Sequence, residues 1–352
     1  MDHFELADKL EKEKNLTDDE FAGILLCEEP EFGEYLAEKA RAVREQYYGK
    51  DVYLRGLIEF TNYCKNNCRY CGIRRDNKKA DRYRLSEEDI MSCSDIGYEL
   101  GFRTFVLQGG EDSYFTDDRI VSIVSGIKER HPDCAVTLSI GEYEKESYKR
   151  FFEAGADRYL LRHETADKGH YEVLHPAEMS YDHRMKCLSD LREIGYQVGC
   201  GMMIGSPGQT IEHLIKDLRF MQEFSPEMAG IGPFIPHHDT EYADYEPGTV
   251  DLTLRLLSVI RLILPDVLLP ATTALGTIDP FGREKGIAAG ANVVMPNLSP
   301  RDVRGKYLLY DNKICTGDEA AECIRCMSMR VERTGYKVVE SRGDHFSRAT
   351  HC

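Results

Sequence analysis

From residue 51 onward, short apolar segments rich in β-branched residues alternate with amphipathic segments, and this alternation is the strongest constraint on the fold. Strand patterns followed by helical patterns are typical of βα units built around a parallel sheet. The sequence contains eight such strand patterns, at residues 52–60, 103–108, 135–140, 157–164, 196–205, 227–234, 267–274 and 291–296. Eight strands, each followed by a helix, are the number that closes a TIM-type barrel. We therefore predict an α/β fold with a (β/α)8 barrel over residues 51–300.

Two segments of different character flank this pattern. Residues 1–50 show helical periodicity, with Thr17 and Glu20 in the spacing of a capping box, and predict an N-terminal helical extension. Beyond residue 300 the alternation stops, and residues 301–352 are rich in charge and cysteine. They predict a C-terminal, cysteine-containing appendage.

The net charge and the first residues limit the possible partners and location. The 352 residues carry a formal net charge of −16, which argues against nucleic acid or an anionic membrane as a partner. The start, MDHFELADKLEKEKN, lacks the apolar core of a signal peptide, and no run of about 18 apolar residues follows. We therefore expect a cytoplasmic protein, in which the 12 cysteines are metal ligands or buried thiols rather than disulfides.

Although the chain as a whole is acidic, one short segment contains a group of basic residues. Its members are Lys65, Arg69, Arg74, Arg75, Lys78 and Lys79. Such a group is typical of a solvated basic face, and a site for a small anionic ligand or for an acidic protein partner is the alternative.

Three cysteines, Cys64, Cys68 and Cys71, form the pattern CxxxCxxC directly after the first strand, where barrel enzymes carry active-site loops. Structural zinc sites use four protein ligands, commonly two CxxC pairs, and this spacing differs from theirs. Iron-sulfur clusters are held by thiolates, and a four-iron cluster held by only three leaves one iron open to another ligand. The triplet therefore predicts such a cluster. Isolated cysteines in apolar surroundings are interpreted as core thiols: Cys27, Cys93, Cys134, Cys187 and Cys200.

With the aromatic Tyr70 before its last cysteine, the motif resembles the radical S-adenosylmethionine (SAM) superfamily. The resemblance implies a 4Fe-4S cluster that binds SAM and cleaves it reductively to a 5'-deoxyadenosyl radical. It also implies that Tyr70 lies along the adenine and that Gly109, Gly110 and Glu111 lie near the methionine amino group. Glycines allow a backbone to approach a ligand closely, and a carboxylate suits an ammonium group.

Longer strings narrow the resemblance to one family within the superfamily. YCGIRRDNK, TLSIGE, DRYLLRHETA, GSPGQT, GIGPFIPHHDT, LPATTALGT and GANVVMPN resemble the HydE family of FeFe-hydrogenase maturases. The family implies that Glu164 and Arg184 hold SAM, since a guanidinium suits the methionine carboxylate. It also implies an anion-binding cavity formed by Arg55, Thr137, Arg158, Thr272, Thr273 and Tyr307. Arg55, Thr137 and Arg158 lie within predicted strands, and for them the alternative is a buried ion pair or an outward-facing side chain.

The resemblance further implies an activity. The radical would act on a cysteine-ligated iron complex that carries CO and cyanide, during assembly of the hydrogenase diiron subcluster. The expected partners are this small anionic or organometallic substrate, an electron donor and other hydrogenase maturases. No general base or nucleophile is required, so no catalytic residue is predicted. His163, His237 and His238 are interpreted as supporting residues rather than metal ligands.

A second triplet, Cys315, Cys323 and Cys326, resembles an additional iron-sulfur site, of the 2Fe-2S or 4Fe-4S type, found in some HydE proteins. Two other functions stay open at this point. One is a radical SAM mutase or sulfur-inserting enzyme that acts on an organic amino-acid-like substrate, as in methylornithine and biotin synthases. The other is an iron-sulfur carrier without enzymatic activity.

Overall fold

The computed structural model describes residues 2–316 and 324–348 and opens with three helices. Capping boxes start the first two: Asp2 Oδ1 accepts the Glu5 N–H at 2.8 Å, and Thr17 Oγ1 accepts the Glu20 N–H at 3.3 Å. The capping box predicted at Thr17 is confirmed. The three helices are α1 (His3–Glu13), α2 (Asp18–Leu26) and α3 (Pro30–Tyr48).

Parallel strands follow, and six of them form one sheet in the order β2-β3-β4-β5-β6-β8. The strands are β1 (Asp51–Leu54), β2 (Gly56–Thr61), β3 (Thr104–Gly109), β4 (Ala135–Ser139), β5 (Ala156–Leu160), β6 (Gln197–Cys200), β7 (Met203–Ile204), β8 (Met228–Ala229), β9 (Gly232–Pro233), β10 (Val293–Val294) and β11 (Lys337–Val339). Every described pairing within these sheets is parallel. The predicted α/β class is therefore confirmed.

Helices separate the strands, as the alternation predicts, and several pack directly on them. Ser86 caps the first of these helices through the Asp89 N–H at 3.1 Å. Among the described residues, no helix is long and apolar enough to cross a membrane. The helices are α4 (Glu87–Glu99), α5 (Asp117–Arg130), α6 (Lys145–Glu153), α7 (Lys168–Leu174), α8 (Tyr181–Ile194), α9 (Ile211–Phe224), α10 (Val250–Ile263), α11 (Thr273–Ile278), α12 (Gly282–Ala288), α13 (Arg301–Arg304) and α14 (Ile324–Glu332), with a final 3-10 turn at Phe346–Arg348.

The strands and their pairing differ from the prediction at several places. The predicted strands 52–60, 196–205 and 227–234 are each divided in two, as β1 and β2, β6 and β7, and β8 and β9, and β7 pairs with β9 in a separate sheet. Residues 267–274 form isolated bridges, from Leu268 to Met228 and from Pro270 to Val293, rather than a regular strand. Pro270 has no N–H to donate to a ladder, which explains the interruption. In the tail, where the alternation was expected to have stopped, β11 pairs with β1 and places it between β10 and β11.

Candidate functional site

The loop after β2 carries Cys64, Cys68 and Cys71 and is called the cysteine loop. It lines a cavity of about 330 Å³ at the carboxyl ends of the strands. The Cys71 N–H donates to the Cys68 carbonyl at 3.2 Å, and the Lys65 N–H donates to the Glu111 carbonyl at 2.8 Å. These bonds fold the loop and tie it to the end of β3. The structure thus brings Cys64, Cys68 and Cys71 to one wall of the cavity.

Basic residues of this loop hold it in place. Arg74 donates to Asn67 Oδ1 and to the Asp239 carbonyl, each at 3.1 Å. Lys79 pairs with the Asp239 carboxylate at 2.6 Å, and Lys65 pairs with Glu111 at 3.1 Å. These contacts connect the loop to the segments that follow β3 and β9.

The spacing and chemistry of the three thiols fit a multi-iron cluster. Their three Sγ atoms do not all lie within 4.8 Å of one another. A tetrahedral zinc ion would hold its sulfurs closer together, about 3.8 Å apart. Burial, followed by repulsion from the Cys71 and Cys64 thiolates, raises the pKa of Cys68 well above its ordinary value. Burial, followed by repulsion from the Cys64 thiolate, raises the pKa of Cys71 to about 12. Three thiolates held together here would repel one another, and a shared cation would offset that repulsion.

Gly110 allows the end of β3 to lie against the cysteine loop, and Gly141 allows Glu111 to lie against the loop after β4. A Cβ on Gly110 would lie 2.2 Å from the Tyr63 carbonyl oxygen, and a Cβ on Gly141 would lie 2.1 Å from the Glu111 side chain. Gly141 also has a φ of +88°, which disfavours any side chain. Burial raises the pKa of Glu111, although Arg184 and Lys65 act against this. The structure thus holds the Glu111 carboxylate inside the cavity wall, as a charged group that a cationic ligand would stabilise.

Arg184, on α8, lines the same cavity with only 9% of its side chain exposed. Its Nε lies 2.5 Å from Glu142 Oε1, and its Nη1 donates to the Arg162 carbonyl at 3.1 Å. Burial alone would lower the pKa of Arg184, but the Glu142 carboxylate raises it well above its ordinary value. The guanidinium is therefore fixed as a permanent cation facing the cavity.

Glu164 is held in an unusual backbone conformation at the end of the segment that follows β5. Its φ is +65°, in the left-handed region that non-glycine residues rarely adopt. Its Oε2 lies 3.0 Å from Arg162 Nη2, and its N–H donates to the Gly201 carbonyl at 3.0 Å. Strain of this kind persists only where the surroundings impose it, and it is concentrated at functional sites.

Tyr70 packs between the cysteine loop and the far wall of the cavity. Its ring belongs to a small apolar cluster with Leu174, Met203 and Phe234. Its hydroxyl lies 3.3 Å from His175 Nε2. The rigid position of the ring, one residue before Cys71, provides a flat apolar surface beside the thiols.

The predicted anion-binding residues divide into two groups. Thr272 and Tyr307 line the cavity, and the Tyr307 hydroxyl accepts a hydrogen bond from Gln108 Nε2 at 3.3 Å. Thr273, at the start of α11, accepts from Arg283 Nη2 at 3.4 Å. These three residues therefore lie at the cavity or next to it.

Thr137 and Arg158 lie in the middle of β4 and β5, Arg55 lies directly before β2, and none of the three lines this cavity. Arg158 pairs with Asp344 at 2.6 Å. Arg158 therefore forms an ion pair within the chain, which was the alternative to binding an anionic ligand. Burial, then Arg158, lowers the pKa of Arg55 well below its ordinary value. Arg55 Nε and Thr137 Oγ1 are buried without a hydrogen-bond partner among the described residues.

The Arg158–Asp344 pair gives a first prediction. We expect Asp344→Asn to lower the free energy of unfolding at pH 7 by roughly 3–5 kcal/mol, because removing one partner leaves the other charge buried. Burial would raise the pKa of Asp344, but Arg158, Arg342 and Gln197 lower it to about 2, below the ordinary 3.8. The stabilisation is therefore complete above about pH 4 and is lost as the pH falls toward 2.

Urea unfolding at pH 7 and at about pH 3 measures this effect. The difference between wild type and Asp344→Asn should narrow at the lower pH. Asp244→Asn, at an exposed position, is the control and should change stability by no more than about 0.5 kcal/mol. An equal difference at both pH values would contradict the assignment.

The tail cysteines are only partly described. Cys323 lies outside the described residues, Cys315 is buried with Arg283 Nη2 3.1 Å from its sulfur, and Cys326 is exposed on α14. Cys315 has a φ of +65°. Cys326 is disulfide-bonded in this structure, contrary to the expectation that the cysteines do not form disulfides, and the second cysteine triplet remains a prediction.

The histidines singled out in the sequence make local contacts. His163 Nδ1 accepts the Gly201 N–H at 3.2 Å, which leaves the proton on Nε2 to be donated to Asp217 at 3.2 Å. His237 Nδ1 accepts the Asp239 N–H at 3.1 Å. Sequence reasoning missed Glu142, Arg162 and His175, although Glu142 closes the quoted string TLSIGE and Arg162 lies within DRYLLRHETA.

Comparison with known proteins decides the family. The radical SAM superfamily profile matches residues 58–221, which include the cysteine loop. The FeFe hydrogenase maturase subunit HydE of Thermotoga maritima is 45% identical over 333 residues, covering 95% of this chain and 94% of that protein. The chain belongs to the radical SAM superfamily, within its HydE family. Membership makes it a radical SAM enzyme and implies a 4Fe-4S cluster and SAM, which the thiol spacing and the charged cavity fit.

Other radical SAM proteins share the architecture at lower identity. The 3-methylornithine synthase of Methanosarcina barkeri is 32% identical over 340 residues, covering 96% of this chain and 95% of that protein. The crystal structure of methylornithine synthase PylB superposes with a TM-score of 0.80 at 28% identity, covering 95% of this chain and 97% of the other. The fold is thus common to radical SAM enzymes whose names indicate different products.

Proposed function

We propose that this protein is a HydE-type FeFe hydrogenase maturase in the cytoplasm. The observation that carries the proposal is the 45% identity to a HydE over 95% of the chain, against 32% to a methylornithine synthase. The substrate would be a cysteine-ligated iron complex with CO and cyanide, and an electron donor and other maturases would be its partners.

We propose that the strands close into a complete (β/α)8 barrel over residues 51–300, with helices 1–50 before it and the appendage 301–352 after it. The six-stranded sheet supplies most of the wall. Parallel bridges from Leu268 to Met228, from Pro270 to Val293 and from Leu57 to Asn297 support closure of the remainder. A closed barrel would exclude water from the cavity above its strands.

Cys64, Cys68 and Cys71 would hold the cluster, and the other predicted residues would hold SAM. When bound, the reduced cluster and SAM together supply a 5'-deoxyadenosyl radical. Arg184 would grip the methionine carboxylate, and Glu111 with the backbone of Gly109 and Gly110 would face the amino group. Glu164 would accept hydrogen bonds from the ribose hydroxyls. The Tyr70 ring would lie along the adenine.

The substrate would occupy the cavity beyond SAM. Thr272, Thr273 and Tyr307 would contact its polar groups, and Arg55, Thr137 and Arg158 would make the floor beneath it electropositive. Support comes from the unpartnered Arg55 Nε and Thr137 Oγ1, since a buried cation and a buried hydroxyl both favour an anion nearby. A second iron-sulfur cluster on Cys315, Cys323 and Cys326 belongs to the same proposal.

Product analysis tests the function. Anaerobically reconstituted protein should release 5'-deoxyadenosine from SAM in the presence of the cysteine-iron complex, and the 4Fe-4S electron paramagnetic resonance signal should shift when SAM binds. Lysine and dethiobiotin serve as matched alternative substrates. Conversion of lysine would favour the methylornithine-type mutase, and failure to cleave SAM with any substrate would favour a carrier.

A further inference from the structure

A second concave region lies beside the cysteine loop, outside the cavity described above. It has a volume of about 800 Å³, and its wall includes Glu142 on the loop after β4 and His183 on α8. One helical turn beyond His183 is Cys187, which is only 1% exposed. Residues four apart lie on the same face of a helix, so His183 and Cys187 point to the same side of α8.

The three side chains converge on a common point. His183 Nε2 lies 3.5 Å from Glu142 Oε2 and 3.6 Å from Cys187 Sγ. One ligand atom from each residue lies within 4.8 Å of the others. A carboxylate oxygen, an imidazole nitrogen and a sulfur, all electron-pair donors, thus surround one small volume.

These separations match the edges of a tetrahedral metal site. With zinc bonds of about 2.0–2.1 Å to nitrogen and oxygen and about 2.3 Å to sulfur, tetrahedral angles place nitrogen and oxygen about 3.4 Å apart. The same bonds place nitrogen and sulfur about 3.6 Å apart. The contact between His183 and Glu142 leaves the carboxylate's other oxygen free to stay beside Arg184, 2.5 Å from its Nε.

We propose that Glu142, His183 and Cys187 form a mononuclear site for a thiophilic divalent cation, with Zn²⁺ as the ion they fit best. Cys187 would bind as thiolate, its proton passing to solvent. The thiolate and the Glu142 carboxylate would then neutralise both charges of the ion. The fourth coordination position of the ion would face the concave region. The site goes beyond the proposed SAM chemistry and requires none of it.

The alternative is a hydrogen-bond network without metal, in which Cys187 Sγ also lies 3.6 Å from the Tyr143 carbonyl oxygen and can donate to it. Glu142 and Cys187 both approach the same nitrogen, His183 Nε2, which can carry or accept only one proton at a time. A cation at the centre satisfies all three donors together. It would also fix Glu142, and through it the orientation of Arg184.

Zinc K-edge absorption spectroscopy on the full-length holoprotein tests the proposal, since the edge is specific to zinc and the iron cluster does not interfere. Protein loaded with Zn²⁺ and dialysed should retain about one zinc at this site, with one sulfur at about 2.3 Å and nitrogen or oxygen atoms at about 2.0–2.1 Å. In Cys187→Ala that sulfur and at least about 90% of this zinc should be lost. His183→Gln should lose zinc to the same extent, and because His183 is 38% exposed this variant is the safer one for folding.

Cys93→Ala provides the matched control. Cys93 is another buried helix cysteine, 4% exposed, and it belongs to none of the described groups with metal-ligand spacing. Its replacement should leave bound zinc unchanged. The proposal is overturned if wild type retains no zinc, or if bound zinc and its sulfur shell are the same in Cys187→Ala and His183→Gln as in wild type. The readouts are zinc content and its sulfur shell, and SAM cleavage is measured separately, so failure of this proposal is distinguishable from failure of the proposed function.

Discussion

Replacing Cys68 by alanine is expected to abolish SAM cleavage and to prevent assembly of the 4Fe-4S cluster. The residue lies in sequence between Cys64 and Cys71, the other two proposed ligands, and no other described thiol lines the cavity to replace it. Removing a residue that hydrogen-bonds to a metal ligand typically lowers metal affinity or activity by roughly 10–100-fold, and removing a ligand itself should lower it more. Iron analysis and 5'-deoxyadenosine release, both measured anaerobically, check the expectation.

Cys200→Ala is the control for Cys68→Ala. Cys200 is fully buried in β6 and lines no part of the cavity, so its replacement can reduce stability but should leave iron content intact. A Cys68→Ala protein that kept its SAM-responsive paramagnetic signal would show that the cluster ligands are assigned incorrectly.

Replacing Arg184 by methionine is expected to raise the Kd for SAM by roughly 100-fold or more, because it leaves a bound carboxylate and Glu142 facing each other without a cation. Arg184→Lys should recover only part of the affinity, since an ammonium cannot reproduce the planar guanidinium fork. Titration of the paramagnetic shift with SAM provides the measurement.

Lys186→Met, two residues along the same helix, is the control for Arg184→Met. The Lys186 side chain is 60% exposed and pairs with Asp190 on the helix surface, so SAM affinity should stay within about twofold. A Kd for Arg184→Met within about threefold of wild type would mean that this guanidinium does not bind SAM.

The sequence was most informative where a motif and a strand end coincide. CxxxCxxC directly after a β-branched run located the thiols, and the Gly-Gly-Glu string located the end of β3 beside them. Both signals are local, because a few adjacent residues carry the chemistry and the strand fixes their place. Glu142 was not predicted as a site residue because a single glutamate after a glycine is not a motif. Its role depends on the contact with Arg184 of α8, which is distant in sequence.

Contacts between residues distant in sequence could not be predicted. The strand arginines were expected to face an anion, and Arg158 does face a carboxylate, but it is Asp344 from the chain's own tail. No periodicity links a residue in β5 to one 186 positions later. Cys187 was interpreted as a core thiol for the same reason, although the spacing of His183 and Cys187 on one helix was a usable signal.

The position of β1 between β10 and β11 has a consequence for the order of folding. One of the first strands to leave the ribosome can complete its pairing only after residues 337–339 have been synthesised. Until then its edge is open and Arg158 lacks the Asp344 carboxylate. Contacts this far apart in sequence form slowly, and open strand edges favour aggregation. The sheet that contains β1 is therefore completed only when nearly the whole chain has been synthesised.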